Sequence, residues 1–448
     1  MAMPSRRTVR DLRRSSRKAV LQRLYFDGPM SRQALGGATS LSSGSISTIV
    51  AELVAEGLVE EAGTVDSDGG RPRTLLRVAP SGACLIGVDV GETRVRVELF
   101  DLALAELARC DRPLRRNGYD VTSVVRHISE GVREVMNEAG ITADLLLGVG
   151  VGIPGIVDRG SDDAGTGAVV YGQTIGWDAV PLESLLRDCA VLPPGTRFFI
   201  ENGAKTLGQA EMWFGGGRGV RDAAIVLFGS GVGACLVTDG AVFGGARGSA
   251  AEWGHTTLRV RGRQCRCGAL GCLEAYAGAE ALVQRWQEAG ATLPADTDEE
   301  TAVTALLAAA HPEEGPADPV ALNVLDETAE YLGAGISDLI NLYGPERVLL
   351  CGWAGLQLAP YILDDVRRHA KAYALRHPAE RVTIELGRLG PDAVTVGAAT
   401  LPLADFFARG GRLHEQAAEG EAPVERAGWR ATMETRTLAA ASKEPVRK

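Results

Sequence analysis

The chain has 448 residues, 45% of them hydrophobic and only 5% aromatic, with 56 glycines and a formal net charge of −10. That length calls for two or three domains, and the composition fits an α/β protein with an aliphatic core and many tight turns at strand ends. No apolar run is long enough to span a bilayer, and the basic start lacks the apolar core of a signal peptide; the expected setting is the cytoplasm, with no membrane partner.

The charge is uneven. Residues 1–32 carry nine Lys or Arg against Asp11 and Asp27, a surplus of +7 that leaves −17 on the rest. A basic head on an acidic body points to a polyanion that meets the head alone; a solvated arm is the alternative. Ala19, Val20, Leu24 and Phe26 predict a first amphipathic helix, stopped by Asp27-Gly28-Pro29. Ser31 caps a short second helix carrying Ala34 and Leu35, with Arg32 at its start. Ser42 or Ser43 caps a third, whose Ile46, Ile49, Val50 and Leu53 recur at helical spacing. Its other face shows Ser43, Ser45, Ser47 and Thr48, small polar side chains that let a helix sit deep in a major groove. A turn through residues 66–70 and a return strand Thr74–Val78 complete a winged helix-turn-helix pattern over residues 1–80, with Arg71 and Arg73 expected at the wing base, in reach of phosphates. A helical module that binds protein has the same periodicity; the serine face and wing arginines favour double-stranded DNA.

Two body segments look alike. Residues 85–101 (through Asp89-Val-Gly91-Glu92-Thr93) and 224–240 (through Gly229-Ser230-Gly231) each read strand, glycine turn, strand. Such turns offer amides to a phosphate, and Asp89 adds a possible magnesium ligand. Their placement suggests two related lobes facing a cleft.

Cys265-x-Cys267-x4-Cys272, with His255 upstream, supplies four N/S ligands of the kind a closed structural zinc site uses. Gly262, Gly268 and Gly271 thread the segment and suit a backbone folded tightly around an ion. Buried or disulfide-bonded thiols are the alternative. The other five cysteines are scattered singly.

From about residue 15 to 405 the chain resembles the ROK family of repressors and sugar kinases. The carrying motifs are Glu252-Trp253-Gly254-His255, the Cys265–Glu274 run, Gly152-Ile-Pro154-Gly155, Gly176-Trp177 and the Gly69-Gly70-Arg71-Pro72 wing. It is most similar to the branch with an N-terminal winged helix-turn-helix. The resemblance implies an actin-like, ribonuclease-H-like body: a first lobe over 81–200, rejoined by a helix at 392–408, and a second lobe over 201–391 with the zinc loop. It implies that His255 binds zinc through one ring nitrogen and a sugar through the other. Glu252, Glu274 and Asn202 would bind sugar hydroxyls, and Gly155 would shape the pocket. A ligand-fixed imidazole is held in one tautomer and orientation, which suits that task.

Family kinases carry an Asp after this Asn, as general base. Here Gly203 follows Asn202, and Glu201 should point to the strand's other side. Glu92 stands where kinases have a second glycine, and Cys351 and Trp353 stand near glycine positions of the adenosine-side turn. The expectation is a non-enzymatic, sugar-responsive regulator with structural zinc and without ATP, acting on an operator as a homodimer or dimer of dimers. Its effector would be a small sugar or sugar phosphate. A ROK sugar kinase with a DNA-binding head is the alternative. Thr328–Tyr343 should be a packed helix, residues 291–318 an insertion or loose helical hairpin, and 409–448 a polar tail.

Overall fold

The computed structural model describes residues 8–67, 70–114, 119–160, 167–189, 192 and 195–413. Asp68 and Gly69 of the wing turn, the Arg71 side chain and the tail from residue 414 lie outside the described residues. Among the described residues no helix is long and apolar enough to cross a membrane.

The head holds three helices, Val9–Asp27, Arg32–Thr39 and Ser43–Ala55, followed by a hairpin of Val59–Ser67 and Gly70–Val78. Ser31 and Ser42 cap the second and third helices by accepting the amides of Ala34 and Ser45. Three features differ from the sequence expectation. The first helix starts ten residues before Ala19, fixed by a reciprocal Thr8–Asp11 capping box, so Arg10 to Lys18 lie on a helix and not on an arm. Met30–Ser31 pairs with Leu75–Leu76 as a third strand. The return strand begins at Gly70, and Arg73 lies opposite Val65, so the wing arginines sit near the wing tip and not its base.

Part of the basic surplus is satisfied internally. Arg17 is buried; its Nε donates to the Gly410 carbonyl at 2.8 Å and its Nη1 to Glu52 and Glu56, each at 3.0 Å. Arg13 also pairs with Glu52. The segment just past residue 408 is thus part of the fold, since Gly410 is a partner of the head; the expected tail does not begin at 409.

Among the described residues the body's two five-stranded sheets share one topology, beside a small sheet of Ile156–Asp158, Val169–Gly172 and Trp177–Val180. The first contains Cys84–Val90, Arg94–Asp101, Glu106–Pro113, Leu146–Ile153 and Phe198–Asn202. The second contains Ala223–Phe228, Val232–Thr238, Ala241–Val242, Arg347–Cys351 and Thr383–Leu386. In both the spatial order is third, second, first, fourth, fifth, with the first three strands antiparallel and the fourth parallel to the first. Residues 291–318 hold one packed helix, Glu299–Ala310, capped by Asp298 and burying Val303, Leu306 and Leu307, in place of a loose hairpin. The packed helix expected at Thr328–Tyr343 is longer, Pro319–Tyr343.

Two helices trade lobes. Gly203–Phe214 follows the last strand of the first sheet but packs on the second; Ala393–Ala408 follows the second sheet and packs on the first. Glycine makes the latter approach possible: a methyl at Gly87 or Gly150 would overlap the carbonyls of Thr395 or Ala398. The far ends of both helices (Trp213, Phe406, Phe407) merge with Val20, Leu21 and Leu24 of the head into one apolar core.

Candidate functional site

The near ends of the same two helices face a cleft between the lobes, a cavity of about 190 Å³ lined by residues of both. It brings together Asn202, Glu252, His255, Glu274 and Gly155, the five sugar-binding candidates, with Asp89, Glu92 and Gly203.

Asn202 caps the helix that begins at Gly203. Its Oδ1 accepts from the amides of Ala204 and Lys205 at 2.9 and 3.2 Å, and its Nδ2 donates to the Gly155 carbonyl at 2.8 Å. The side chain therefore ties the Gly155 loop to the helix start. Gly155 has φ +101°, and a Cβ there would lie 2.5 Å from the Tyr171 carbonyl, so only glycine fits this wall.

On the opposite wall, Trp253–His255 form a single 3-10 turn, held by the Trp253 indole donating to the Gly335 carbonyl at 2.8 Å. Burial pushes the Glu252 carboxyl up, opposed by Lys205 and His255. Glu274 opens the short helix Glu274–Ala277, and its Oε2 accepts from the Val232 amide at 3.3 Å. Two carboxylates, an imidazole and turn amides thus converge on a half-enclosed space, the donor and acceptor set a polyhydroxyl ligand requires.

Behind His255 lie the three thiols. The His255, Cys265, Cys267 and Cys272 ligand atoms all fall within 4.8 Å of one another. His255 Nδ1 is 3.7 Å from Cys265 Sγ, and Cys267 Sγ is 3.7 Å from Cys272 Sγ. A tetrahedron with zinc–sulfur bonds of about 2.3 Å has edges of about 3.8 Å, so these two pairs have the separation such an ion needs, and the four residues together could hold a metal ion. All eight cysteines are free thiols. Burial pushes the Cys265 and Cys272 thiols up, a cost that a divalent cation among them would reverse by favouring the thiolates. With Nδ1 turned to the thiols, Nε2 is the ring nitrogen left for the cleft side.

The kinase-like features fall as follows. Gly203 offers no side chain to the cleft. Glu201 is buried, its Oε2 2.9 Å from Arg159 and its Oε1 accepting the Asn202 amide. Trp353 lines the cleft, whereas Cys351 is buried in the core. Asp89 lies at the cleft floor with its carboxyl pushed up to about 6, chiefly by burial, with Arg96 and Arg94 pulling the other way. Glu92 meets a cation from the other lobe, Arg266, at 2.5 and 2.8 Å. Sequence reasoning passed over Arg266; its only signal was a charge between two candidate zinc ligands.

In the head, Arg32, Ser43, Ser45, Ser47, Thr48 and Arg73 are all exposed, and Ser45 Oγ lies 2.9 Å from the capping Ser42 Oγ.

Comparison with known proteins agrees with this architecture. A putative xylose repressor of Caldicellulosiruptor sp. (strain Rt8B.4) is 28% identical over 395 residues, 87% of this chain and 95% of its own length. A glucokinase of Halalkalibacterium halodurans is 29% identical over 321 residues, 70% of this chain and 92% of its own. A solved ROK family transcriptional regulator, a homolog of the E. coli MLC protein, superposes with a TM-score of 0.69 over 90% of this chain and 98% of its own; at 23% identity this likeness is one of fold. The ROK family model matches residues 85–404, well over half of the chain, and the protein belongs to that family.

Proposed function

We propose that this protein is a sugar-responsive transcriptional repressor whose ROK body binds its effector and no longer phosphorylates it. The carrying observation is that the head rests on the far ends of the two helices whose near ends, at Asn202–Ala204 and Val394, line the cleft. The repressor relative supports the reading, since its similarity covers 87% of this chain, more than the 85–404 span that the ROK model matches. A sugar held between the lobes through Glu252, His255, Glu274 and Asn202 would favour one lobe arrangement. That arrangement would move the heads of a homodimer, or dimer of dimers, off successive major grooves of a palindromic operator. Coupling of about 1–3 kcal/mol suffices for such a switch. Structural zinc at His255, Cys265, Cys267 and Cys272 would hold the sugar wall in shape. Arg32, Ser43, Ser45, Ser47, Thr48, Arg71 and Arg73 would contact double-stranded DNA in the cytoplasm.

The test is anisotropy of labelled DNA from upstream of the protein's own operon, titrated with salt and with a panel of monosaccharides and sugar phosphates. Salt-sensitive binding that one sugar weakens is the expected result; no binding at low salt overturns it. The glucokinase relative favours a second reading, a sugar kinase with a DNA-binding head. Measurable ATP-dependent phosphorylation of a hexose would establish that reading in place of the first.

A further inference from the structure

Arg266 lies on the second lobe, between Cys265 and Cys267. Its guanidinium crosses the cleft to Glu92, on the glycine turn of the first lobe, where Nη1 and Nη2 meet the two carboxylate oxygens at 2.5 and 2.8 Å. The remaining donor capacity goes to its own lobe: Nη2 is 3.3 Å from Glu274 and Nε is 3.2 Å from Glu280. A second pair of reversed polarity also joins the lobes, Arg94 of the first to Glu300 of the second at 3.2 Å. The guanidinium thus touches both a first-lobe turn and Glu274, a carboxylate on the candidate sugar wall.

The place matters as much as the pairing. Asp89–Glu92 and Gly229–Gly233, the two glycine turns, line the same cleft from opposite lobes. Turns of this kind can bridge a polyphosphate, joining the lobes through a shared anion. Here an internal carboxylate and an internal guanidinium stand at that seam. A side-on Arg–carboxylate pair is geometrically specific, and with Arg266 and Glu92 side chains only 30% and 19% exposed it is shielded from salt more than a surface pair.

We propose that Arg266 and Glu92 form a clasp that closes the cleft in place of a nucleotide, and that Arg266, as a positioning residue, links lobe closure to the setting of Glu274. Opening the lobes breaks the Glu92 contact and leaves Arg266 with Glu274 and Glu280 alone. By linkage, a ligand that gains from the closed setting of Glu274 favours closure in return. This rests on the reading of the body as a binder without kinase activity.

The test uses the full, zinc-loaded chain without sugar or DNA, and reads amide hydrogen exchange in both glycine turns. Glu92→Gln is expected to speed exchange at least about fivefold in its own turn and also across the cleft at Gly229–Gly233, with the strands of both sheets unchanged. Arg266→Gln is expected to do the same, and the double variant to add little to either single one, as for two halves of one contact. Glu92→Arg, which sets like charges face to face and leaves the zinc loop untouched, is expected to exceed Glu92→Gln. An effect confined to residues 91–93, or additive single effects, overturns the clasp. Since no sugar or DNA enters the measurement, that failure leaves the repressor reading standing, and failure of DNA binding leaves the clasp standing.

Discussion

Phe26 of the head meets Trp213 of the body edge to face, with ring centroids 5.1 Å apart. Trp213 lies near the end of the helix Gly203–Phe214, whose other end is capped by Asn202 in the cleft. Twelve helical residues span about 18 Å. One rigid rod therefore joins the candidate sugar site to the first helix of the head. Tyr25 and Phe26 also pack on Phe407, the end of the second rod.

Truncating this contact should uncouple the two ends while leaving each intact. Phe26→Ala is expected to leave sugar affinity within about twofold and to shrink the sugar effect on DNA binding, about 1–3 kcal/mol in coupled systems, toward zero. Anisotropy with and without effector measures it. An unchanged sugar response in a folded Phe26→Ala protein would mean that the signal takes another route.

The cysteine loop should be needed for the sugar wall. Cys267→Ser is expected to weaken zinc binding at least about tenfold and to abolish ligand-induced thermal stabilisation at doses that shift the native protein. Metal content and melting scans against the sugar panel check both. A sugar response that survives complete removal of zinc separates the loop from recognition.

The sequence exposes what repeats or has fixed spacing. The thiols stand close together along the chain, the two glycine turns open the two lobes in the same way, and the head's serines precede periodic apolar faces; each leaves a local mark. Long-range pairs leave none. Arg266 and Glu92 are 174 residues apart, and Arg17 and Gly410 are 393 apart. Nothing near either arginine names its partner. The two-residue strand Met30–Ser31 is too short to show alternation, and the basic start of the first helix shows no apolar stripe, since much of its inward face is Arg17 on a salt bridge. Asn202 was legible as a cleft residue, but not as a helix cap that spends its oxygen on Ala204 and Lys205.

Asp89 gives a pH signature. Its carboxyl is raised from 3.8 to about 6 in the folded chain, chiefly by burial. Well below pH 3.8 it is protonated both folded and unfolded and has no effect. Between about pH 4 and 6 the folded chain holds more protons, so stability falls as pH rises, and the full cost is present above about 6. Asp89→Asn removes that cost. The variant is expected to be more stable than the native protein by about 1–2 kcal/mol near pH 8, with the gain shrinking steadily as pH falls from 6 to 4. Denaturant midpoints across that range test it; a gain independent of pH would place the ionised carboxylate in a more favourable setting than its burial implies.

A carboxylate at position 203, where the resemblance to family kinases expects a general base, should not by itself make this chain a kinase. A Cβ on Gly203 would approach only Val394, at 3.9 Å, so the backbone there accepts a side chain's first carbon without a clash. A general base is typically worth about 10²–10⁴ in rate. If its loss were the sole defect, the single variant would phosphorylate a hexose measurably. The clasp predicts otherwise, because the paired Glu92 and Arg266 side chains occupy the seam between the glycine turns where a polyphosphate would have to lie. Gly203→Asp alone is therefore expected to show no ATP turnover above the native protein, and Gly203→Asp with Glu92→Gly to exceed it by at least about tenfold. A coupled assay of ADP release with glucose and ATP distinguishes them. Equal turnover of the single and double variants would show that Glu92 is no barrier, and that the glycine at 203 alone silences the site.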